Sequence, residues 1–191
     1  TSGGTRVSSL DRIATDTPIV TLTVGGNDVG FPDIVSDCLL DLESCTRHDA
    51  QVQRDLADLE GSLRTLFSDI GSRLSSHAQV LVVGYPRVFP ALPFRDCDFI
   101  PLFPVGTFTV DEQTWANAKT ADLNSVLRTE AKRSNQPGSP EFVYVDTWDI
   151  FARNELCRPD PGTGEPATLS TFINGVDLVN PVHSFHPTSS G

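Results

Sequence analysis

Gly25-Gly26-Asn27-Asp28 closes the apolar run Pro18-Ile19-Val20-Thr21-Leu22-Thr23-Val24, setting a side-chain amide where a strand runs out. A carboxamide N–H held there can donate to the oxyanion of a tetrahedral intermediate. Both glycines are expected to take positive φ and to let a reacting group come close to the backbone. The same four residues also make an ordinary strand-to-loop turn, so the motif gains meaning only in company. Near the far end, Pro181-Val182-His183-Ser184-Phe185-His186-Pro187-Thr188 places two histidines three residues apart in a proline-closed loop. One of them can serve as a general base. Thr1-Ser2-Gly3-Gly4-Thr5 is a small-residue loop ahead of Asn27, and its backbone N–H groups can complete an anion pocket.

These residues need a scaffold, and the chain alternates between strand-like and helix-like segments. Residues 18–24 read as a short, β-branched, buried strand bounded by Pro18 and Gly25. A long amphipathic helix is expected over residues 49–75, where Val52, Leu56, Leu59, Leu63, Leu66, Phe67, Ile70 and Leu74 form one apolar stripe. Residues 79–84 are the next strand, and residues 86–104 a loop rich in proline and phenylalanine. A second helix, about 111–133, carries Trp115, Ala118, Leu123, Val126, Leu127 and Ala131 towards the strand Phe142-Val143-Tyr144-Val145. Strands separated by helices predict an α/β fold, a three-layer sandwich with a central parallel sheet. Sites in such sheets form beyond the carboxyl ends of the strands, where Asn27 falls. No repeat or long linker divides residues 1–191, which are read as a single domain.

With these residues in view, the chain resembles the SGNH (GDSL-type) hydrolases, particularly the secreted actinobacterial esterases, lipases and phospholipases. That family has a flavodoxin-like sandwich fold and four sequence blocks. The first carries the nucleophilic serine in Gly-Asp-Ser, the second an oxyanion-hole glycine, the third Gly-x-Asn-Asp, and the last Asp-x-x-His-Pro. Ser2-Gly3-Gly4-Thr5 is similar to the second block, which implies an oxyanion role for Gly3, or for Gly4 in a register shifted by one. Gly25 to Asp28 matches the third and implies the donor role for Asn27. Phe185-His186-Pro187 matches the last and implies that His186 is the base. Val82-Val83-Gly84-Tyr85-Pro86-Arg87 and Asn154-Glu155-Leu156-Cys157 extend the likeness through most of the chain.

Two departures stand beside these matches. Neither Gly-Asp-Ser nor a Gly-x-Ser-x-Gly elbow occurs in the sequence, and neither Ser2 nor Ser184 sits on a strand-to-helix turn. The resemblance therefore implies an internal piece of a longer hydrolase, lacking the first strand and the last helix, with the nucleophile on a companion N-terminal segment. A hydrolase fold that has lost its serine and kept a binding groove is the competing expectation. At the acid position of the last block stands His183, which cannot supply the usual negative charge. Relatives with a Ser-His dyad imply instead that the main-chain carbonyl of His183 accepts the Nδ1 proton of His186.

Composition narrows the partners. The 191 residues carry a formal net charge of −11, which disfavours nucleic acid and anionic membranes. No stretch approaches the roughly 18 apolar residues of a membrane span, so stable membrane insertion is not expected. Four cysteines, Cys38, Cys45, Cys97 and Cys157, allow three connectivities and lack the Cys-x-x-Cys spacing of zinc sites. The family resemblance implies Cys38 with Cys45 and Cys97 with Cys157, hence an oxidising, extracellular setting. No metal or cofactor is expected; the substrate is an ester or lipid, with carbohydrate deacetylation as the rival chemistry. Tyr85, Phe89, Phe94, Phe99, Phe103 and Phe108 are read as loop packing rather than an acyl-chain groove. Asp160 to Gly164 is a turn, not a phosphate loop.

Overall fold

The computed structural model describes residues 9–40, 44–98, 106–162 and 164. Its main sheet has three parallel strands in the order β1 (Ile19–Leu22), β2 (Gln79–Val83), β5 (Glu141–Val145). Ile19 pairs with Gln79, and Gln79 with Glu141. Between β1 and β2 run α1 (Phe31–Leu40) and α2 (Asp49–Arg73). Between β2 and β5 lie a two-stranded antiparallel ribbon, β3 (Cys97–Asp98) with β4 (Thr107–Phe108), and α3 (Val110–Arg133). Strands added in one direction through right-handed crossovers send their helices to the same face of the sheet. Accordingly α2 packs on α3, and α3 on β5. Val80, Val82 and Phe142 are buried on that face against Val52, Leu56, Leu59, Leu63, Phe67 and Ile70 of α2.

Sequence periodicity and structure part in several places. The run at residues 18–24 yields a strand that is not buried: Ile19 is 54% exposed. Among the described residues β1 has a strand on one side only, and Ile19 and Thr21 alternate onto the face opposite α2 and α3. The helix α1 was not expected, although Phe31, Ile34 and Cys38 recur at helical spacing. In α3, Ala118 is exposed and Trp115 only half-buried, while Gln113, Asn117 and Asn124 are buried. The start of α3 is fixed by a capping box: the Glu112 N–H donates to Thr109 Oγ1 at 3.2 Å, and the Thr109 N–H to Glu112 Oε2 at 3.0 Å.

A second cluster of buried side chains gathers Phe89, Phe108, Phe151 and Leu156 around two disulfides. Cys38 is bonded to Cys45 and Cys97 to Cys157, the pairing that the resemblance implies. Phe89 and Phe108 lie in ring contact at 5.1 Å. These two pack as expected of the aromatic loop, whereas Phe94 stays 39% exposed; Phe99 and Phe103 lie outside the described residues.

Candidate functional site

Asn27 stands where β1 ends, in a turn that leads directly into α1. The turn closes on itself: the N–H of Val29 donates to the Gly25 carbonyl at 3.2 Å, that of Gly30 to Asn27 at 3.1 Å, and that of Phe31 to Gly26 at 3.1 Å. These bonds satisfy donors at the start of α1 and leave the Asn27 side chain pointing at no described partner. The carboxamide is exposed and free to donate, as an oxyanion-binding group must be.

The two glycines before it do different work from what their pairing predicts. Gly25 takes φ 102°, and a Cβ there would come within 3.0 Å of Leu59 Cδ2 and 3.1 Å of Leu123 Cδ1. Its left-handed backbone and its tight seat on the core both exclude a side chain. Gly26 does not take positive φ. Its missing Cβ instead admits the phenol of Tyr85, whose oxygen would lie 2.9 Å from that atom. The Gly26 N–H donates to the Tyr85 hydroxyl at 3.0 Å. Burial raises the Tyr85 pKa, offset in part by that N–H and reinforced by the charge of Asp28, so the group is a neutral phenol at neutral pH.

Tyr85 is in turn gripped by α3. Its N–H donates to Asn124 Oδ1 at 2.7 Å, and its carbonyl accepts from Asn124 Nδ2 at 2.8 Å. Farther along the same segment, Asn117 accepts from the Phe89 N–H at 3.3 Å and donates to the carbonyls of Phe89 and Pro90, each at 3.1 Å. Gln113 Nε2 donates to the carbonyls of Arg95 and Phe108 at 3.0 and 2.9 Å. Arg87 ties the segment to the region after β5 through Glu155 at 2.9 Å and Asp149 at 3.1 Å. Tyr85 and Asn124 were not singled out as site residues from the sequence. The signal available was an amide at position 124, embedded between Leu123 and Leu127 on the buried side of a helix.

Asn27 is thus placed at the carboxyl end of a parallel strand, beside the segment that follows β2. Gly3, His183 and His186 lie outside the described residues. The sequence model of the GDSL-like lipase/acylhydrolase family matches residues 2–191. A lipase from Streptomyces rimosus is 32% identical over 195 residues, covering 100% of this chain and 62% of that lipase. The chain therefore spans less than two thirds of the length of that relative. Among solved structures, an extracellular lipase from Streptomyces rimosus superposes with a TM-score of 0.70 at 28% identity, over 94% of this chain and 66% of that one. Phospholipase A1 from Streptomyces albidoflavus gives 0.74 at 27% identity, over 95% and 67%. A family match over nearly the whole chain, carried on the parallel α/β sheet with Asn27 at a strand end, makes this chain a member of the GDSL-like lipase/acylhydrolase family.

Proposed function

We propose that the chain belongs to a secreted serine ester hydrolase of the esterase, lipase or phospholipase type, working through an acyl-serine intermediate. The observation that carries this reading is the exposed Asn27 carboxamide, held on an anchored turn at the end of β1 in a member of a lipase/acylhydrolase family. The nucleophilic serine comes from a segment outside this sequence. It attacks the ester carbonyl, and His186 takes its proton and returns it to the leaving alcohol. Water then releases the acid by the same route. Asn27, the Gly3 N–H and the N–H of the serine hold the oxyanion, and the His183 carbonyl orients His186 through its Nδ1 proton. The extracellular setting is supported by the two disulfides and by the extracellular relative from Streptomyces rimosus. No helix among the described residues is long and apolar enough to cross a membrane.

A fluorophosphonate probe followed by intact-mass measurement tests the reading. An adduct on a companion or longer polypeptide, with none on the 20.7 kDa chain, is expected. In that active enzyme, Asn27→Ala should lower turnover on the order of a hundredfold, the effect of losing one oxyanion donor. Unchanged turnover would remove Asn27 from the mechanism. The absence of Gly-Asp-Ser favours one other reading, a non-catalytic binding module, and an adduct on no species at all would support it.

A further inference from the structure

Among the described residues, the Asn27 turn touches the rest of the molecule through one polar contact that its own backbone does not supply. The Gly26 N–H points into the fold and meets the Tyr85 hydroxyl at 3.0 Å. Tyr85 has little freedom to yield: both polar atoms of its main chain are bonded to the Asn124 side chain, which is 5% exposed. Asn124 sits on α3 next to Leu123, the residue that walls Gly25 from the other side. One helix therefore fixes the turn twice, by contact at Gly25 and through Tyr85 at Gly26. Asn27 is the next residue, and its carboxamide has no described bond of its own to hold it.

We propose that Tyr85, itself fixed by Asn124, is a positioning residue that sets where the Asn27 carboxamide stands at the end of β1. This rests on the donor role assigned to Asn27 above. A donor aimed at a developing oxyanion contributes through preorganisation, so a turn that wanders loses the benefit even with the asparagine intact. Tyr85 acts on the transition state alone, since a displaced Asn27 still leaves the substrate its other contacts.

The test uses Tyr85→Phe, which keeps the ring and deletes the acceptor of the Gly26 N–H. In the ester-hydrolysing enzyme, kcat is expected to fall about tenfold with KM nearly unchanged, less than the loss of the donor outright. In an Asn27→Ala background the same substitution should have almost no further effect, because the group it positions is gone. Amide exchange at Gly26 should accelerate in Tyr85→Phe while that of Val80 and Val82 in β2 stays slow. Full turnover in Tyr85→Phe, or effects that multiply in the double variant, would overturn the proposal. So would a Gly26 amide that exchanges at the wild-type rate, whether or not any ester is hydrolysed. Failure of the donor reading itself is recognised separately, as Asn27→Ala with full turnover while the Gly26 amide still responds to Tyr85→Phe.

Discussion

Between α2, α3 and the sheet, the buried side chains are mostly Val, Leu, Ile and Phe, arriving at the helix or strand period from long elements. Around Phe89 and Phe108, four of the eight buried members are half-cystines, brought in by α1, by the β3–β4 ribbon and by the segments between residues 38 and 157. The first core closes by area: a helical stripe covers a strand face, and dispersion and desolvation do the rest. The second has only the short stripe Phe31, Ile34 and Cys38 of α1. It is assembled from covalent links and from amide side chains that bond to loop backbone, with Gln113 and Asn117 serving carbonyls at Arg95, Phe108, Phe89 and Pro90. A region fed largely by loops and short elements is thus specified bond by bond, and one fed by long helices is specified by pattern.

That contrast can be broken most forcefully in the first core. Phe67 is 1% exposed and lies 5.3 Å from the Phe142 ring, so Phe67→Ala should remove about 4 kcal/mol of stability, read as a lower urea midpoint for the whole chain. A loss confined to α2 would show that area does not unite this core. In the second cluster, replacing Cys97 and Cys157 by serine opens a link across 60 residues, which the chain-entropy account values at about 4 kcal/mol at most. The expected signature is a regional excess: amide exchange quickens more at Phe89, Phe108 and Leu156 than at Val80 and Val82. Equal loss in both places would mean that the two clusters fold as one unit. The smallest effect belongs to a single amide. Asn117→Ala removes the bonds to the buried Phe89 N–H and carbonyl and should cost roughly 1–3 kcal/mol, visible in the thermal midpoint. No shift would show that water replaces Asn117 freely.

The same contrast explains what could be read from the residues alone. The α2 stripe and the β-branched runs at β2 and β5 announce their elements because burial on one side imposes a period. The exposure of Ile19 was not legible, since an apolar residue carries no mark of which face its sheet leaves uncovered. The ribbon of β3 and β4 was missed for a related reason: two residues in each strand are too few to show alternation. The turn that carries Asn27 was legible because two glycines and an Asn-Asp pair interrupt a strand run. The contact of Gly26 with Tyr85 was not, because it joins residues 59 apart through a hydroxyl and a backbone N–H, and neither end leaves a pattern. Asn124 reads as a polar interruption of a helix until its backbone partners are seen.

The amides of α3 bond to main-chain atoms of the segment after β2, and main-chain atoms are the same whatever residue carries them. The course of that segment is therefore written on a different part of the polypeptide from the side chains it displays. Positions such as Leu92 and Phe94, which project into solvent, are released from any duty in shaping their own loop. Descendants of this sequence can exchange those side chains, and with them the surface that the segment offers, while Gln113, Asn117 and Asn124 keep the path unchanged. Such separation lets a lineage diversify an exposed surface at little structural risk.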